Sequence, residues 1–466
     1  MIIRRNFLKI FGAGGAAGLF AARGAGAQTP GAGQRAQAAS SGPGKLDVSV
    51  GALDLNHVEL VDTHVHPPQR MTLKQSYDMW NDSFVDAMVP DYEFPGKKEL
   101  RAKLTTEFVN QIWDLPRQTG YNNYMARTYG VAPTLEGFDS VVTKHIKSDA
   151  DFTAYIKTIL DRENISTVVL QSAEADPILP PSFIPRNRFV WTYPIVPLVH
   201  PAWAQKKSAT ALQDVLDQID KTMETAVANR CVAFKNAAAY YRTLGFDKVE
   251  KRDAETAFKA LITATPAGHV AQGAPYYKEP ALTTALKTYQ DFLFKHIYVK
   301  AGQLERPIVI HTAVALHPAL RFEYNNPLAL YDVFQDDEVR KAATRFVLFH
   351  TGYPSHHAVA SMISQFPNVF VDMSFYAKFP GVLEETYRAF LGLAPSEKVM
   401  HGSDSNNVPE EIGYCASNTR RVLARVLHDY KTYYGWTQAD ITKIADNVMH
   451  NNARRLFRIP EATRAS

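Results

Sequence analysis

Val58-Glu59-Leu60-Val61-Asp62-Thr63-His64-Val65-His66 decides how this chain is read: a short apolar run passes through Asp62 into two histidines two residues apart. If the extended geometry persists, side chains at i and i+2 leave the strand on one face, so both imidazoles can look at the same point in space. That is a metal-ligand spacing, although a histidine doublet on a strand is by itself more often packing or a solvated face. The reading depends on whether later segments bring further donors to the same place.

Seven more short apolar runs follow, at Ile165–Leu170, Phe189–Val196, Val232–Phe234, Pro307–Ile310, Phe346–Phe349, Val369–Val371 and Lys398–Met400. Most are continuously apolar rather than alternating, as expected for strands buried on both faces of a parallel sheet. Stretches of helical pattern separate them, such as Thr210–Val227 and Ala281–Tyr298. An α/β fold, a (β/α)8 TIM-type barrel, is the economical arrangement. Two intervals are too long for simple connections, Pro67–Arg162 after the first strand and Asn236–Arg306 after the fourth, and read as insertions that cover one end of the barrel. The first insertion carries Trp80, Phe84, Tyr92, Phe94, Trp113, Tyr121, Tyr124 and Tyr129. These aromatics read as a satellite core in preference to a substrate-stacking wall. Thr437, with Asp440 three residues on, is expected to cap a helix running toward Phe457.

With 46% hydrophobic and 21% charged residues in 466, the composition is that of an ordinary globular protein with a sizeable core. The net charge of +4 comes from the N-terminus: without Arg4, Arg5, Lys9 and Arg23 the chain holds 47 basic and 47 acidic residues. No clustered basic stripe suggests a nucleic-acid surface. Arg4-Arg5-Asn6-Phe7-Leu8-Lys9 resembles the twin-arginine export motif, the apolar Gly/Ala-rich run to Ala22 is too short for a membrane span, and Ala25-Gly26-Ala27 offers a cleavage site. Residues 1–27 are therefore expected to be a signal peptide, 28–50 a disordered linker rich in Ala, Gly, Ser and Pro, and 51–460 the barrel domain, with the mature protein periplasmic or secreted. Gly12, Gly14, Gly15 and Gly18 follow no strand and are set aside as a dinucleotide signature. The two cysteines, Cys231 and Cys415, exclude a disulfide scaffold and a cysteine zinc site, and whether they pair is open.

Polar residues recur where the apolar runs stop: His64 and His66 after the first, Lys235 after the fourth, His311 after the fifth, His350 after the sixth and Asp404 after the eighth. In a β/α barrel the C-terminal strand ends converge on one mouth, where active sites lie. Here the chain resembles the amidohydrolase superfamily, through Asp62-Thr-His64-Val-His66, His311-Thr, His350-Thr-Gly-Tyr-Pro354, His401-Gly-Ser-Asp404 and Asn452-Ala-Arg-Arg-Leu-Phe457, over residues 55–460. The closing Asn-Ala-x-Arg-Leu-Phe pattern makes the amidohydrolase-2 branch the most similar.

The resemblance implies that His64, His66 and Asp404 hold a divalent metal, zinc by its donor set. His311 and His350 match ligands of a second ion, or a ligand plus a substrate-orienting histidine. Lys235 occupies the position that in binuclear members carries a carboxylated, metal-bridging lysine. A charged lysine binding an anion or snorkelling from the strand end is the alternative, since a free ammonium repels a cation. Catalysis would then fall to Asp404, His350 and His311, with Asp404 taking a proton from a metal-activated water. Ala237-Ala-Ala-Tyr240-Tyr241-Arg242 resembles a Lys-x-x-Ala-Ala-Tyr-Arg pattern of some members with one residue inserted, which makes Arg242 and Tyr241 candidates for a substrate carboxylate. His200 could also reach the mouth, His401 is expected to support Asp404 from behind, and His356 and His357 are expected in a surface loop. The implied reaction is hydrolysis of an amide, lactone or related carbonyl in a small-molecule substrate. Non-oxidative decarboxylation and a non-catalytic metal-binding barrel are the other readings, and one against two ions and homo-oligomer formation stay open.

Overall fold

The protein is described from a computed structural model, which covers residues 53–76, 78–79, 99–100, 102–104, 106–107, 116–171, 183–265, 280–314 and 320–460. Residues 1–50, where a leader and linker are expected, lie outside the described residues, as do Trp80, Phe84, Tyr92, Phe94 and Trp113.

All eight expected strands form. In chain order with the longer helices they are β1 (Leu60–Val65), α1 (Pro116–Tyr129), α2 (Leu135–His145), α3 (Asp149–Arg162), β2 (Ile165–Gln171), β3 (Phe189–Pro194), α4 (Leu212–Ala228), β4 (Cys231–Asn236), α5 (Lys251–Ala264), α6 (Pro280–Gln303), β5 (Ile308–His311), β6 (Phe346–Phe349), α7 (His356–Gln365), β7 (Val369–Asp372), α8 (Pro380–Leu393), β8 (Val399–Met400), α9 (Glu410–Tyr434), α10 (Gln438–Asp446) and α11 (Asn452–Phe457). The strands follow one another in the order β1 to β8, and each neighbouring pair is parallel. Closure is made by the segment after β8. Val65 bridges Ser405, the Thr63 amide donates to the His401 carbonyl at 3.2 Å, and the Asp404 amide donates to the His64 carbonyl at 2.8 Å. The fold is a (β/α)8 barrel with long connections after β1 and β4.

Apolar residues on both strand faces account for the two cores. Inside the barrel, Val61, Val169, Val190, Val232, Val309, Val347 and Phe370 pack with Leu456 and Phe457 of α11. Outside it, the other strand face packs against the helical ring, as expected when strands are buried on both sides. Asn452 opens α11 and is buried, donating to the Ser396 and Val399 carbonyls at 2.7 and 2.9 Å. A satellite core of Tyr121, Tyr124 and Phe138 with Tyr414 joins the described part of the first insertion to α9, so Tyr121 and Tyr124 are packing residues. The Thr437 cap is present: its hydroxyl accepts from the Asp440 amide at 3.2 Å while Asp440 accepts from the Thr437 amide at 2.9 Å.

The entry to β1 is held from behind by one side chain. Arg420 is buried on α9 and donates to the carbonyls of Leu55, Val58 and Glu163 at 3.2, 3.1 and 2.7 Å. These backbone groups precede β1 and β2, so the staple aligns the two strands before the chain reaches His64. Cys231 and Cys415 are both buried and free, which settles their pairing in the negative. Among the described residues no helix is long and apolar enough to cross a membrane.

Candidate metal centre

His64 and His66 leave β1 toward the same point, and Asp404 meets them there from the loop after β8. The His64 and His66 Nε2 atoms lie 3.2 and 3.3 Å from one oxygen, Oδ1 of Asp404. Asp404 reaches it from a backbone with φ of 54°, a left-handed conformation that costs energy in a residue with a Cβ and is concentrated at functional sites. Lys378 and the Asn406 side chain donate to the Asp404 carbonyl at 2.7 and 2.8 Å and hold that turn in place. Lys378 also pairs with Glu411 at 3.0 Å.

A single hydroxyl sets how the imidazoles present their nitrogens. Ser374 Oγ donates to Asp372 Oδ1 at 2.6 Å and lies 3.2 Å from His64 Nδ1 and 2.9 Å from His350 Nδ1. Having given its one proton to the carboxylate, it can only accept from both rings. Both histidines therefore carry hydrogen on Nδ1 and a lone pair on Nε2. His350 Nε2 lies 3.0 Å from His311 Nδ1, so His311 must donate there, which leaves its own Nε2 bare. His64 Nε2 and His311 Nε2 are both buried without a hydrogen-bond partner. Asp372 anchors the arrangement, accepting also from the Thr63 hydroxyl at 3.0 Å and the His350 amide at 3.0 Å.

Electrostatics keep the rings neutral. Burial, then the Lys235 charge, pushes His64 well below its usual pKa against the pull of Asp404. Burial, then His350 and Lys235, does the same to His311, and His350 is lowered to about 3, chiefly by burial. Burial alone would raise Asp404, but the cluster around it, with the His66 hydrogen bond and the Lys378 charge, lowers it well below the carboxylate range, so it stays ionised. A neutral His64 thus aims a lone pair at a carboxylate oxygen 3.2 Å away, a repulsive contact unless a cation lies between them. Two imidazole nitrogens and a carboxylate oxygen suit a zinc-like dication and leave coordination positions over. The donor set therefore fits a divalent metal.

The other expected residues divide. His311 and His350 stand beside the trio, their ring centroids 4.5 Å apart and His350 5.0 Å from His64. Lys235 ends β4 in the same space, buried, with Nζ 4.1 Å from the Phe349 ring centre, and its charge is felt at His64, His66, His311 and His350. Burial lowers its pKa to about 7, against the pull of Asp404 and Asp372, so a neutral amine is accessible near physiological pH. His401 acts one step further back than expected. Its Nε2 lies 3.9 Å from Asp62, and Asp62 accepts from the His64 and Ser403 amides at 3.1 and 2.9 Å.

The expectations for Arg242 and His356 need correction, and His200 is held to the backbone through one nitrogen. Arg242 does not present its fork to the mouth: it pairs with buried Asp291 and donates to the Thr243 and Gly245 carbonyls, both at 3.2 Å, so its charge is already matched. His200 caps a helical turn, its Nδ1 accepting from the Ala202 amide at 3.1 Å, which directs that nitrogen to the backbone. His356 is not in a loop but opens α7 and is buried. Tyr241 is half-buried beside Tyr240, and it is Tyr240 whose ring lies 4.3 Å from His311. Asp372, Ser374 and Lys378 escaped the sequence reading altogether. The one available signal was the polar Asp-Met-Ser that follows the seventh apolar run, at the same strand end as the others.

Two predictions follow from this bonding pattern. Ser374→Ala should weaken zinc binding by roughly 10- to 100-fold in competition with a chromophoric chelator, because His64 and His350 lose the acceptor that fixes their tautomers. Ser374→Thr should restore most of the affinity, and an alanine variant with wild-type affinity would refute the tautomer assignment. In metal-free protein, Lys235 gives up its proton near pH 7 when folded and near 10.5 when unfolded, so between these values the unfolded state binds more protons and stability rises with pH. Denaturant titrations should show that rise in the wild type and a flatter profile, with higher stability at pH 7, in Lys235→Met.

The comparisons with known proteins agree with the barrel. The family profile described as Amidohydrolase, of the amidohydrolase-2 group, matches residues 202–459. A comparison with curated proteins gives no match. Among solved structures, a Lactobacillus casei protein classed as a metal-dependent hydrolase superposes with a TM-score of 0.62 at 17% identity, covering 87% of this chain and 97% of its own. Glucuronate isomerase from Caulobacter crescentus gives 0.60 at 10% identity, covering 87% and 92%, and a uronate isomerase from Bacillus halodurans gives 0.57 at 14%, covering 87% and 94%. At such identities these structures speak for the fold alone. The profile, by contrast, matches more than half of the sequence, from the turn after β3 to the end of α11, and on that ground the chain belongs to the amidohydrolase family.

Proposed function

We propose that this protein is a metal-dependent hydrolase acting on an amide, lactone or related carbonyl of a small molecule. The reading is carried by one observation, the convergence of His64 and His66 Nε2 on one Asp404 oxygen at 3.2 and 3.3 Å, with the His64 nitrogen buried and without a hydrogen-bond partner. A divalent cation, zinc by the donor set, would polarise the carbonyl and supply water with a pKa near 7. His64, His66 and Asp404 would hold it. The second Asp404 oxygen is then the group placed to accept a proton from the attacking water and return it to the leaving atom. His350 and His311, kept neutral and linked by their 3.0 Å hydrogen bond, leave the His311 Nε2 lone pair to accept from a substrate hydroxyl or N–H. The Tyr240 ring packed on His311 limits access of bulk water to that nitrogen.

Non-oxidative decarboxylation of an unsaturated or aromatic acid is supported as a second reading by the number of converging donors. Among the described residues only one such trio forms at the mouth, which suits one ion, and Lys235 packs on Phe349. Carboxylation of the accessible neutral Lys235 amine would add a bridging group and favour two ions and hydrolysis.

The test is a panel of lactones, amides, uronates and aromatic acids offered to zinc-reconstituted enzyme. Hydrolysis of a lactone or amide is expected, lost on chelation and reduced by roughly 10²- to 10⁴-fold in Asp404→Asn. Carbon dioxide release or uronate isomerisation with no hydrolysis would replace the reading, and retention of full activity in Asp404→Asn would end it. We further propose that residues 1–27 export the protein through the twin-arginine route to the periplasm. Replacing Arg4 and Arg5 by lysine should then leave an unprocessed precursor in the cytoplasmic fraction, whereas unchanged processing would exclude that route.

A further inference from the structure

We infer that the chain carries a second cation site, separate from the His64–His66–Asp404 trio, in which His356, His357 and Glu385 bind a borderline transition-metal dication such as Zn2+. His356 and His357 form the first turn of α7, and Glu385 stands on α8, packed beside it. The His356 and His357 Nε2 atoms lie 3.1 and 4.0 Å from the same oxygen, Oε1 of Glu385, and all three donor atoms fall within 4.8 Å of one another. One histidine facing one glutamate is an ordinary ion pair. A second imidazole turned to the same oxygen is not required by that pair, and it repeats the arrangement of the trio at the mouth.

The chemistry favours a cation over a proton. Burial, together with His357, outweighs Glu385 and lowers the pKa of His356, so that imidazole is neutral at neutral pH and has a lone pair to give. Two imidazoles and one carboxylate are donors for Zn2+, Ni2+ or Cu2+ and not for Mg2+ or Ca2+, which take oxygen shells. The first-turn amides of α7 oppose a positive ion, and the Glu385 charge offsets them. His356 supplies a fixed, buried donor. The His357 and Glu385 side chains are 72% and 51% exposed, free to close by the ångström or so that coordination needs, and water can fill the remaining positions.

The site bears on the mouth through one stacked pair. Tyr353 lies flat on His356, with ring centroids 5.3 Å apart and planes within 10°, and its carbonyl accepts from the Val314 amide at 3.2 Å. A dication at His356 thus ties α7 to α8 at the end of the His350–Tyr353 turn. The site would stiffen the loop that carries His350 without touching the substrate.

Zinc titration of the metal-free, full-length folded protein against a chromophoric chelator tests the proposal. The wild type should bind one equivalent more than His357→Ala or Glu385→Gln, each of which should bind that equivalent on the order of tenfold more weakly or lose it. His64→Ala should lose the tighter equivalent and keep this one, so failure here and failure of the metal centre at the mouth are distinguishable. His428→Ala serves as a surface-histidine control, and melting curves of metal-free protein show whether the variants are folded. Equal stoichiometry and affinity in wild type, His357→Ala and Glu385→Gln would overturn the assignment, as would loss of the same equivalent in His428→Ala.

Discussion

A neutral imidazole nitrogen and an ionised carboxylate oxygen, His64 Nε2 and Asp404 Oδ1, face each other across 3.2 Å inside the barrel mouth. Both groups are electron-rich, His64 is buried and Asp404 is only slightly exposed, so the pairing calls for positive charge between them. Much of the surrounding structure serves to keep it. Asp62 holds the His64 and Ser403 amides, joining β1 to the segment that delivers Asp404. Lys378 and Asn406 hold the Asp404 carbonyl, and Ser374 fixes the His64 ring.

The same constraint explains the crowding of polar groups near β7. A buried carboxylate is costly unless its lone pairs are satisfied, and Asp372 collects four donors: Ser374 through hydroxyl and amide, the Thr63 hydroxyl and the His350 amide. Burial still raises its pKa, to about 6, with the hydrogen bonds and the Lys235 charge opposing. Around it there is no spare volume. A Cβ on Gly402 would come within 2.8 Å of Asp372 Oδ2 and 2.9 Å of the Ser374 Cβ, so glycine at that position is a packing requirement of the β7–β8 strand ends.

Where the sequence reading erred, it treated side chains as free when the fold had already committed them. Arg242 looked like a clamp for a substrate carboxylate because its pattern placed it after β4. Asp291 on α6, 49 residues later, takes its charge instead. His200 follows β3 but spends its Nδ1 on a helix cap. Aromatics in the first insertion suggested either a core or a wall, and Tyr414, nearly 300 residues beyond Tyr121 and Tyr124, decides for a core in the described part.

The sequence by itself determined the barrel and pointed to the candidate donors. Continuous apolar runs separated by helical stretches suit a parallel sheet buried on both faces, and in a barrel the polar residues that end such runs gather at one rim. His64, His66, Lys235, His311, His350 and Asp404 are legible on that ground alone. Only the tertiary structure decided how they are used. Tautomer, protonation and charge compensation depend on atoms brought within hydrogen-bond distance across hundreds of residues. Ser374 lies 310 positions from His64 in the chain, and no local pattern reveals that its one proton goes to Asp372. Val58 to His66 announces a pair of ligands. The fold around β7 and β8 makes the His64 lone pair point inward.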